Sequence, residues 1–357
     1  MPARESAGAR PPRLAPGPHP AVAAVRVAVR QALGGAVGAE LEPGDLVLVG
    51  CSGGPDSLAL AAAVAFEAPK LGLRAGAVTI DHGLQAESAE VALSAEASLR
   101  RLGLDPVLVI AAEVAARGSA PGYPGPEAAA RRARYAAFEL ASKESGARAV
   151  LLGHTMDDQA ETVLLGLARG SGARSIAGMA PAAGGYLRPL LGLRRAQTVA
   201  ACTAQGLVPW HDPQNDDLAF SRTRVRTQLL PLMEQLIGPG VTESLARTAS
   251  QCRADTEALD DLAETAAARL IAAGNSVAVT ELAELPDAIR TRVLKRAAIA
   301  AGAPAGSLTA VHIGELDALV TNWHGQRWLD LPGGVRCQRR YGRLHFTGER
   351  DEPRPGC

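Results

Sequence analysis

The chain has 357 residues, 37 basic and 37 acidic side chains, no net formal charge and 47% hydrophobic residues. Such a length predicts about two domains of about 100–200 residues each. Neutral charge does not indicate a globally basic nucleic-acid binder, yet it permits local basic stripes. The cysteines Cys51, Cys202, Cys252, Cys337 and Cys357 form no CxxC pair, which argues against a metal knuckle, an iron–sulfur site or a disulfide framework and fits a reducing cytoplasm.

Residues 1–20, rich in Pro, Arg, Gly and Ala, cannot bury enough apolar surface to order themselves and read as a disordered leader. Their arginines precede no apolar h-region, so they do not read as a secretory signal. Ala21–Leu33 has helical periodicity. From residue 45 short apolar runs alternate with longer helical stretches: strands at Asp45–Cys51, Arg74–Ile80, Pro106–Ala111 and Ala147–Gly153, and helices at Ser57–Glu67, Ala86–Leu102, Glu127–Ser145 and Asp157–Arg169. Near-continuous apolar strands alternating with helices predict an α/β fold, a parallel sheet covered on both faces. Ligands of such sheets bind beyond the carboxyl ends of the strands.

Gly118–Pro126 is a Gly/Pro loop. Leu187–Leu193 reads as an edge strand, Arg194–Gln205 as a helix, Val208–Arg222 as a polar loop and Val225–Ile237 as a helix. After a hinge at Gly238–Gly240, Val241–Ala273 reads as one long helix. Helices at Leu282–Ala301 and His312–Asn322 and short strands at Gln326–Leu331, Gly334–Arg340 and Arg343–Phe346 predict a smaller α+β domain. The expected division is a catalytic domain at 21–237, a helical linker at 238–275 and a C-terminal domain at 276–350. No apolar run approaches the roughly 20 residues that span a bilayer, so no membrane partner is expected.

Three polar clusters fall at predicted strand ends. The first, Ser52-Gly53-Gly54-Pro55-Asp56-Ser57, opens a helix. Its glycines let backbone N–H groups approach an anion at a helix start, where the dipole favours negative charge. Asp56 beside a phosphate is repulsive unless a cation lies between them, so Mg²⁺ is the natural bridge. A capped tight turn is the bland alternative, and no Gly-Lys-Ser/Thr follows, so this is not a Walker A loop. The second cluster begins Asp81-His82, where a base or ribose fits, or where a turn suffices. The third runs from Gly153 and His154 to Asp158 and Glu161. Asp158 and Glu161 lie three apart and share a helix face. A carboxylate pair there suits Mg²⁺, and N-capping by Asp157 or Asp158 with Glu161 is the alternative.

The SGGPDS loop resembles the pyrophosphate-binding motif of the PP-loop ATP-pyrophosphatases, which split ATP between the α- and β-phosphates. With DHGL at 81–84, EAAARRARYAAF at 127–138, GHTMDDQAETVLLGLARGSG at 153–172, RPLL at 188–191, DPQNDD at 212–217, SRTRVRTQLLPLME at 221–234 and LPGGVRCQRRYGRLHF at 331–346, the chain looks like a tRNA(Ile)-lysidine synthase from about residue 45 to 347. The resemblance implies that the wobble cytidine of a tRNA(Ile) with a CAU anticodon is adenylated by ATP at the oxygen on carbon 2. The ε-amine of free L-lysine then displaces AMP. It further implies that Ser52, Gly53, Gly54, Pro55, Asp56, Ser57, Asp81, His82 and Gly153 hold ATP, and that Asp56, Asp158 and Glu161 hold Mg²⁺ and the incoming ammonium.

A carboxylate or His154 would accept the lysine proton. Arg131 and Arg134, three apart on one helix, would face the adenylate or tRNA phosphates, or remain solvated. Arg222, Arg224 and Arg226 would share one side if extended, near the tRNA. Arg327, Arg336, Arg339, Arg340 and Arg343, with Trp323, Trp328 and Tyr341 nearby, suit RNA backbone and base stacking, or are core aromatics with solvated charge. Gln85 and Thr223 depart from the family pattern of Arg and Asn. A cytidine thiolase and a non-catalytic tRNA-binding protein are the alternatives. The missing CxxC counts against the first, the intact loop against the second. No spacing sets an oligomeric state.

Overall fold

The computed structural model describes residues 17–81, 88–111, 126–170, 172–271, 275–326 and 328–348. Residues 1–16 of the predicted leader at 1–20, His82 to Gln85, residues 118–125 of the predicted loop at Gly118–Pro126 and Arg327 therefore lie outside the described residues, and Pro20 and Pro126 each begin a helix. In chain order the first elements are α1 (Pro20–Ala36), β1 (Leu46–Gly50), α2 (Pro55–Glu67), β2 (Arg74–Asp81), α3 (Ser88–Arg101), β3 (Val107–Ala111), α4 (Pro126–Ser145), β4 (Ala149–Leu152), α5 (Met156–Ala168) and α6 (Ala173–Ile176). They are followed by β5 (Ala182–Ala183), β6 (Tyr186–Leu187), α7 (Arg195–Ala204), α8 (Ser221–Arg224), α9 (Leu230–Ile237) and α10 (Val241–Leu270). Two compact units emerge: Met1–Leu165 with Gly178–Arg247, and Gly166–Ala177 with Thr248–Cys357.

The first unit is built on one six-stranded sheet in the order β3-β2-β1-β4-β6-β5. Every neighbouring pair is parallel except the antiparallel β5–β6 edge. The central strand β1 shows why its sequence is apolar throughout. Side chains alternate between faces, so Val47 and Val49 enter the core shared with α1 and α2, whereas Leu46 and Leu48 enter the core shared with Phe138 and Ala141 of α4. Helix α1 buries Val22, Val25, Val29 and Leu33, an i, i+3/i+4 stripe that predicts a one-sided helix.

Gly50, the last residue of β1, is required by packing. A Cβ there would lie 2.9 Å from Phe138 Cζ and 3.0 Å from a Leu152 methyl. Gly50→Ala is expected to lower unfolding free energy by about 1–3 kcal/mol, the cost of overpacking a filled core, as read by urea denaturation.

Two predicted elements differ. The expected strand at Leu187–Leu193 pairs only at Tyr186–Leu187, and Pro189–Gly192 is a short 3-10 turn, because Pro189 has no N–H for the ladder. The helix expected from Val225 begins at Ser221 and passes through a π-turn at Val225–Leu229, where the Leu230 N–H bonds the Val225 carbonyl. Pro231 removes one backbone donor from this stretch, a recognised cause of such distortion.

The second unit adds β7 (Ser276–Ala278), α11 (Val279–Ala283), α12 (Asp287–Ala300), α13 (Ala310–Thr321), β8 (Leu329–Leu331), β9 (Val335–Arg340) and β10 (Arg343–Thr347). Its strands form an antiparallel sheet in the order β7-β10-β9-β8, packed with α12 and α13 around Val293, Leu294, Leu316, Cys337, Leu344 and Phe346. The predicted Leu282–Ala301 helix is broken at Pro286, which caps α12. Strand β7, three residues long, is too short to carry a periodic signal. Among the described residues no helix is long and apolar enough to cross a membrane.

Candidate active site

The loop from Cys51 to Gly54 joins β1 to α2. Gly53 has φ +80°, a left-handed conformation that glycine adopts without a steric penalty, and its carbonyl accepts the Trp210 N–H at 2.9 Å. Ser57 is spent inside the loop: its Oγ accepts the Ser52 N–H at 3.2 Å and donates to the Gly54 carbonyl at 2.9 Å. Ser57 thus braces the turn, while the first-turn N–H groups of α2 have no intrahelical acceptors. Gly153 closes the loop from the β4 side, since a Cβ there would lie 3.1 Å from the Asp56 carbonyl and the Ser57 nitrogen. Its contribution is close approach of backbones.

The start of α5 is set by Thr155 and Asp158. Asp158 Oδ2 accepts both the Thr155 N–H and the Thr155 hydroxyl at 2.8 Å, and the Asp158 N–H reaches the Thr155 Oγ at 3.5 Å. This is a reciprocal cap, so capping and site chemistry coexist in one side chain. Asp158 Oδ1 remains for the pocket, where Arg195 and Arg226 donate to it at 3.4 and 3.3 Å. Asp157 acts elsewhere, accepting the Arg195 N–H at 2.7 Å and so fixing the start of α7.

Two residues of α7 escaped sequence reasoning. Arg195 Nε donates to Asp56 Oδ2 at 3.0 Å, so one guanidinium joins Asp56 to Asp158. The Thr198 hydroxyl donates to Asp56 Oδ1. A usable signal was present: Arg195 and Thr198 lie three apart at a predicted helix start and hence on one face.

Arg222 and Arg226 converge on Glu161. Arg226 binds it through both oxygens, at 2.6 and 3.1 Å, and Arg222 lies 3.0 Å from it. Glu161 is 0% exposed. The extended arrangement expected for Arg222, Arg224 and Arg226 is corrected: the segment is helical, so residues four apart share a face and the middle one points away. Arg224 is exposed and donates to the Leu218 and Ala219 carbonyls at 2.6 and 2.9 Å. Buried Thr223 passes its carbonyl to the Thr227 hydroxyl at 2.8 Å.

On α4 the pair separates. Arg134 lines the pocket and has no hydrogen-bond or ion-pair partner among the described residues, and burial followed by the neighbouring Arg131 cation lowers its pKa. Exposed Arg131 instead stacks on the Tyr135 ring at 4.9 Å. Arg131 does not line the pocket, so its expected catalytic place gives way to the solvated alternative.

Asp158, Arg195, Arg222 and Arg226 line a cavity of about 720 Å³ that opens at the carboxyl ends of β1, β2 and β4, with Ser52, Gly54, Asp56, Asp81, Gly153 and His154 in its wall. Such a volume suits a small-molecule substrate. Burial pushes the Asp56 carboxyl above the usual range, with Arg195 and Thr198 offsetting part of the shift. Burial also raises Glu161, opposed by Arg226. For Asp158 burial is outweighed by Arg195, the Thr155 N–H and other neighbours, and its pKa falls. Burial, aided by Arg134, Arg188 and Arg222 against Asp158, lowers His154 to about 3. Its Nδ1 is buried without a partner. Burial beside three arginines disfavours the charged imidazole, so of the two expected acceptors, a carboxylate or His154, the pocket favours a carboxylate.

Among the described residues no group of three or more His, Cys, Asp or Glu side chains is arranged to hold a metal ion. Asp56 and Asp158 meet on the same guanidinium and fit a Mg²⁺ that takes one or two carboxylates plus substrate phosphates. Glu161 does not fit, because it is fully buried outside the cavity lining with its oxygens on Arg222 and Arg226. The three-carboxylate set reduces to two.

The PP-loop domain family matches residues 29–233, and the TilS substrate binding domain family matches residues 278–345. The chain is 55% identical to a tRNA(Ile)-lysidine synthase of Thermobifida fusca over 333 residues, covering 93% of this chain and 99% of that protein. It is 51% identical to one of Streptomyces coelicolor, covering 92% and 98%. A solved U34-tRNA thiolase of Methanococcus maripaludis, with its 4Fe–4S cluster, superposes with a TM-score of 0.54 at 17% identity, covering 65% of this chain and 79% of that one, a likeness of fold alone. With identity above half over nearly the whole length and both domain families matched in order, the chain belongs to the tRNA(Ile)-lysidine synthase family.

Proposed function

We propose that this enzyme adenylates the oxygen at carbon 2 of the wobble cytidine in tRNA(Ile) with a CAU anticodon and replaces it with free L-lysine, releasing pyrophosphate and AMP. The observation that carries the reading is the cavity itself: its floor is the SGGPDS loop, and Asp56, Arg195 and Asp158 meet beside it. Phosphates would lie over the first turn of α2, where N–H donors and the helix dipole favour them. Arg134, a pocket cation without an ion-pair partner among the described residues, would receive the α-phosphate or a tRNA phosphate.

Asp56 and Asp158 would hold Mg²⁺, which when bound neutralises charge on the phosphates and the leaving pyrophosphate. That arrangement requires Arg195 to give up part of its contact with the two carboxylates. Asp158, which the pocket keeps ionised, also offers the negative charge that attracts the lysine ammonium. The ε-amine attacks carbon 2 as a free base and AMP departs with the former base oxygen. The amine proton passes to a pocket carboxylate, for which Asp56, raised by burial, is the better acceptor than Asp158. Asp81, at the end of β2, lines the same cavity on the side proposed for base or ribose.

The reaction belongs in the cytoplasm, where its tRNA substrate and the reduced cysteines are compatible. The test is incorporation of labelled lysine into CAU-anticodon tRNA by the full chain with ATP and Mg²⁺. Stoichiometric incorporation supports the proposal. Failure by a folded protein that still binds the tRNA overturns it, and sulfur transfer without lysine dependence would favour a thiolase.

A further inference from the structure

The hairpin of the second unit joins β9 to β10 through only Tyr341 and Gly342, with Arg340 paired opposite Arg343. Both connecting residues have positive φ, +49° and +73°, the signature of a type I′ turn. Its first position favours Asn, Asp or Gly, and a bulky residue at positive φ is a true outlier. Backbone strain of this kind persists where function requires it. No packing offsets the strain here, since Tyr341 is 100% exposed.

The surroundings of the ring are cationic. Arg340 is exposed and has no hydrogen-bond or ion-pair partner among the described residues. Arg343 is fixed at the other side of the turn by Ser276, through its Oγ at 3.3 Å and its carbonyl at 3.2 Å. Further along β9, Arg339 stacks over the half-exposed Trp323 at 4.7 Å and is anchored to the Leu319 carbonyl at 2.7 Å. Arg339 and Trp323 therefore satisfy each other, whereas Arg340 and Tyr341 are both unengaged at the tip.

We propose that Tyr341 and Arg340 clamp one unpaired nucleotide of the RNA substrate, the ring stacking on its base and the guanidinium holding its phosphate. A protruding aromatic face beside a free guanidinium matches RNA, whose unstacked bases are held on aromatic planes with cations along the backbone. The assignment rests on the reading of the substrate as a tRNA.

The turn supplies its own control. Asparagine is the residue the turn prefers, so Tyr341→Asn relieves the strain while removing the ring. In the full chain this variant is expected to melt at or above the wild-type temperature yet bind CAU-anticodon tRNA about 5- to 150-fold more weakly, the scale of one lost base–aromatic stack. The loss falls on KM for tRNA rather than on kcat. Tyr341→Phe keeps the ring and is expected to bind within about twofold. Arg340→Ala should lower the slope of log affinity against log salt by about one.

Affinity unchanged in Tyr341→Asn overturns the clamp even if lysine incorporation proceeds. Absence of incorporation by a wild-type chain whose tRNA binding still depends on Tyr341 overturns the catalytic reading and supports the clamp.

Discussion

Asp56→Asn is expected to reduce tRNA-dependent AMP release by at least about a hundredfold, the scale on which removal of one transition-state stabiliser acts. Binding of tRNA should stay within a few-fold. The side chain keeps its size and its reach to Thr198 and Arg195, so what disappears is a negative charge on the first turn of α2. Without it the phosphate loop can still attract anions, but the proposed Mg²⁺ loses one of two carboxylates and Arg195 rests on Asp158 alone. Pyrophosphate then departs without its counter-charge. Quenched-flow measurement of AMP release, beside filter binding of the tRNA, separates the two effects. Full activity in the variant would remove Asp56 from the chemistry.

Glu161→Gln is expected to act differently, and more on the fold. Glu161 is fully buried and balances Arg222 and Arg226. Breaking a buried ion pair on one side strands its partner and costs about 3–5 kcal/mol, to be seen as a lower urea midpoint of the ligand-free protein. Activity should fall as well, because Arg226 also touches Asp158 and would shift with its anchor. An active-site ligand would behave otherwise: activity would be lost with stability intact. That pattern would restore Glu161 to the set that holds Mg²⁺ or the ammonium.

The contrast between these two acids shows what sequence could and could not convey. Asp56 is legible as a pocket residue because it lies in a glycine loop between a strand and a helix, and the cavity opens there. The alternation of apolar strands with helices likewise fixes a parallel sheet, since both faces of β1 had to be covered. For Glu161, one-dimensional spacing gives the face shared with Asp158 but not the pairing with two arginines about 60 residues later in sequence. Those arginines were themselves misplaced, because their alternation looks extended and only the helical turn at Ser221–Arg224 separates Arg224 from Arg222 and Arg226. Arg195 and Thr198 went unnoticed for a related reason. Their importance arises from α7 starting against Asp157 and facing α2 (a long-range contact), which their i, i+3 spacing places on one face without naming what that face meets. Short β7 and the proline-broken helix at Pro286 are local failures, where single residues override periodicity.

The central claim is that this pocket transfers AMP from ATP to tRNA before lysine enters. It is tested most directly by incubating the enzyme with CAU-anticodon tRNA, Mg²⁺ and ATP labelled at the α-phosphate, without lysine, and recovering the RNA after acid quench. The account predicts label on the tRNA, released as AMP when unlabelled lysine is added. Recovery of labelled ADP, or tRNA that never acquires label while lysine is still incorporated, would contradict it.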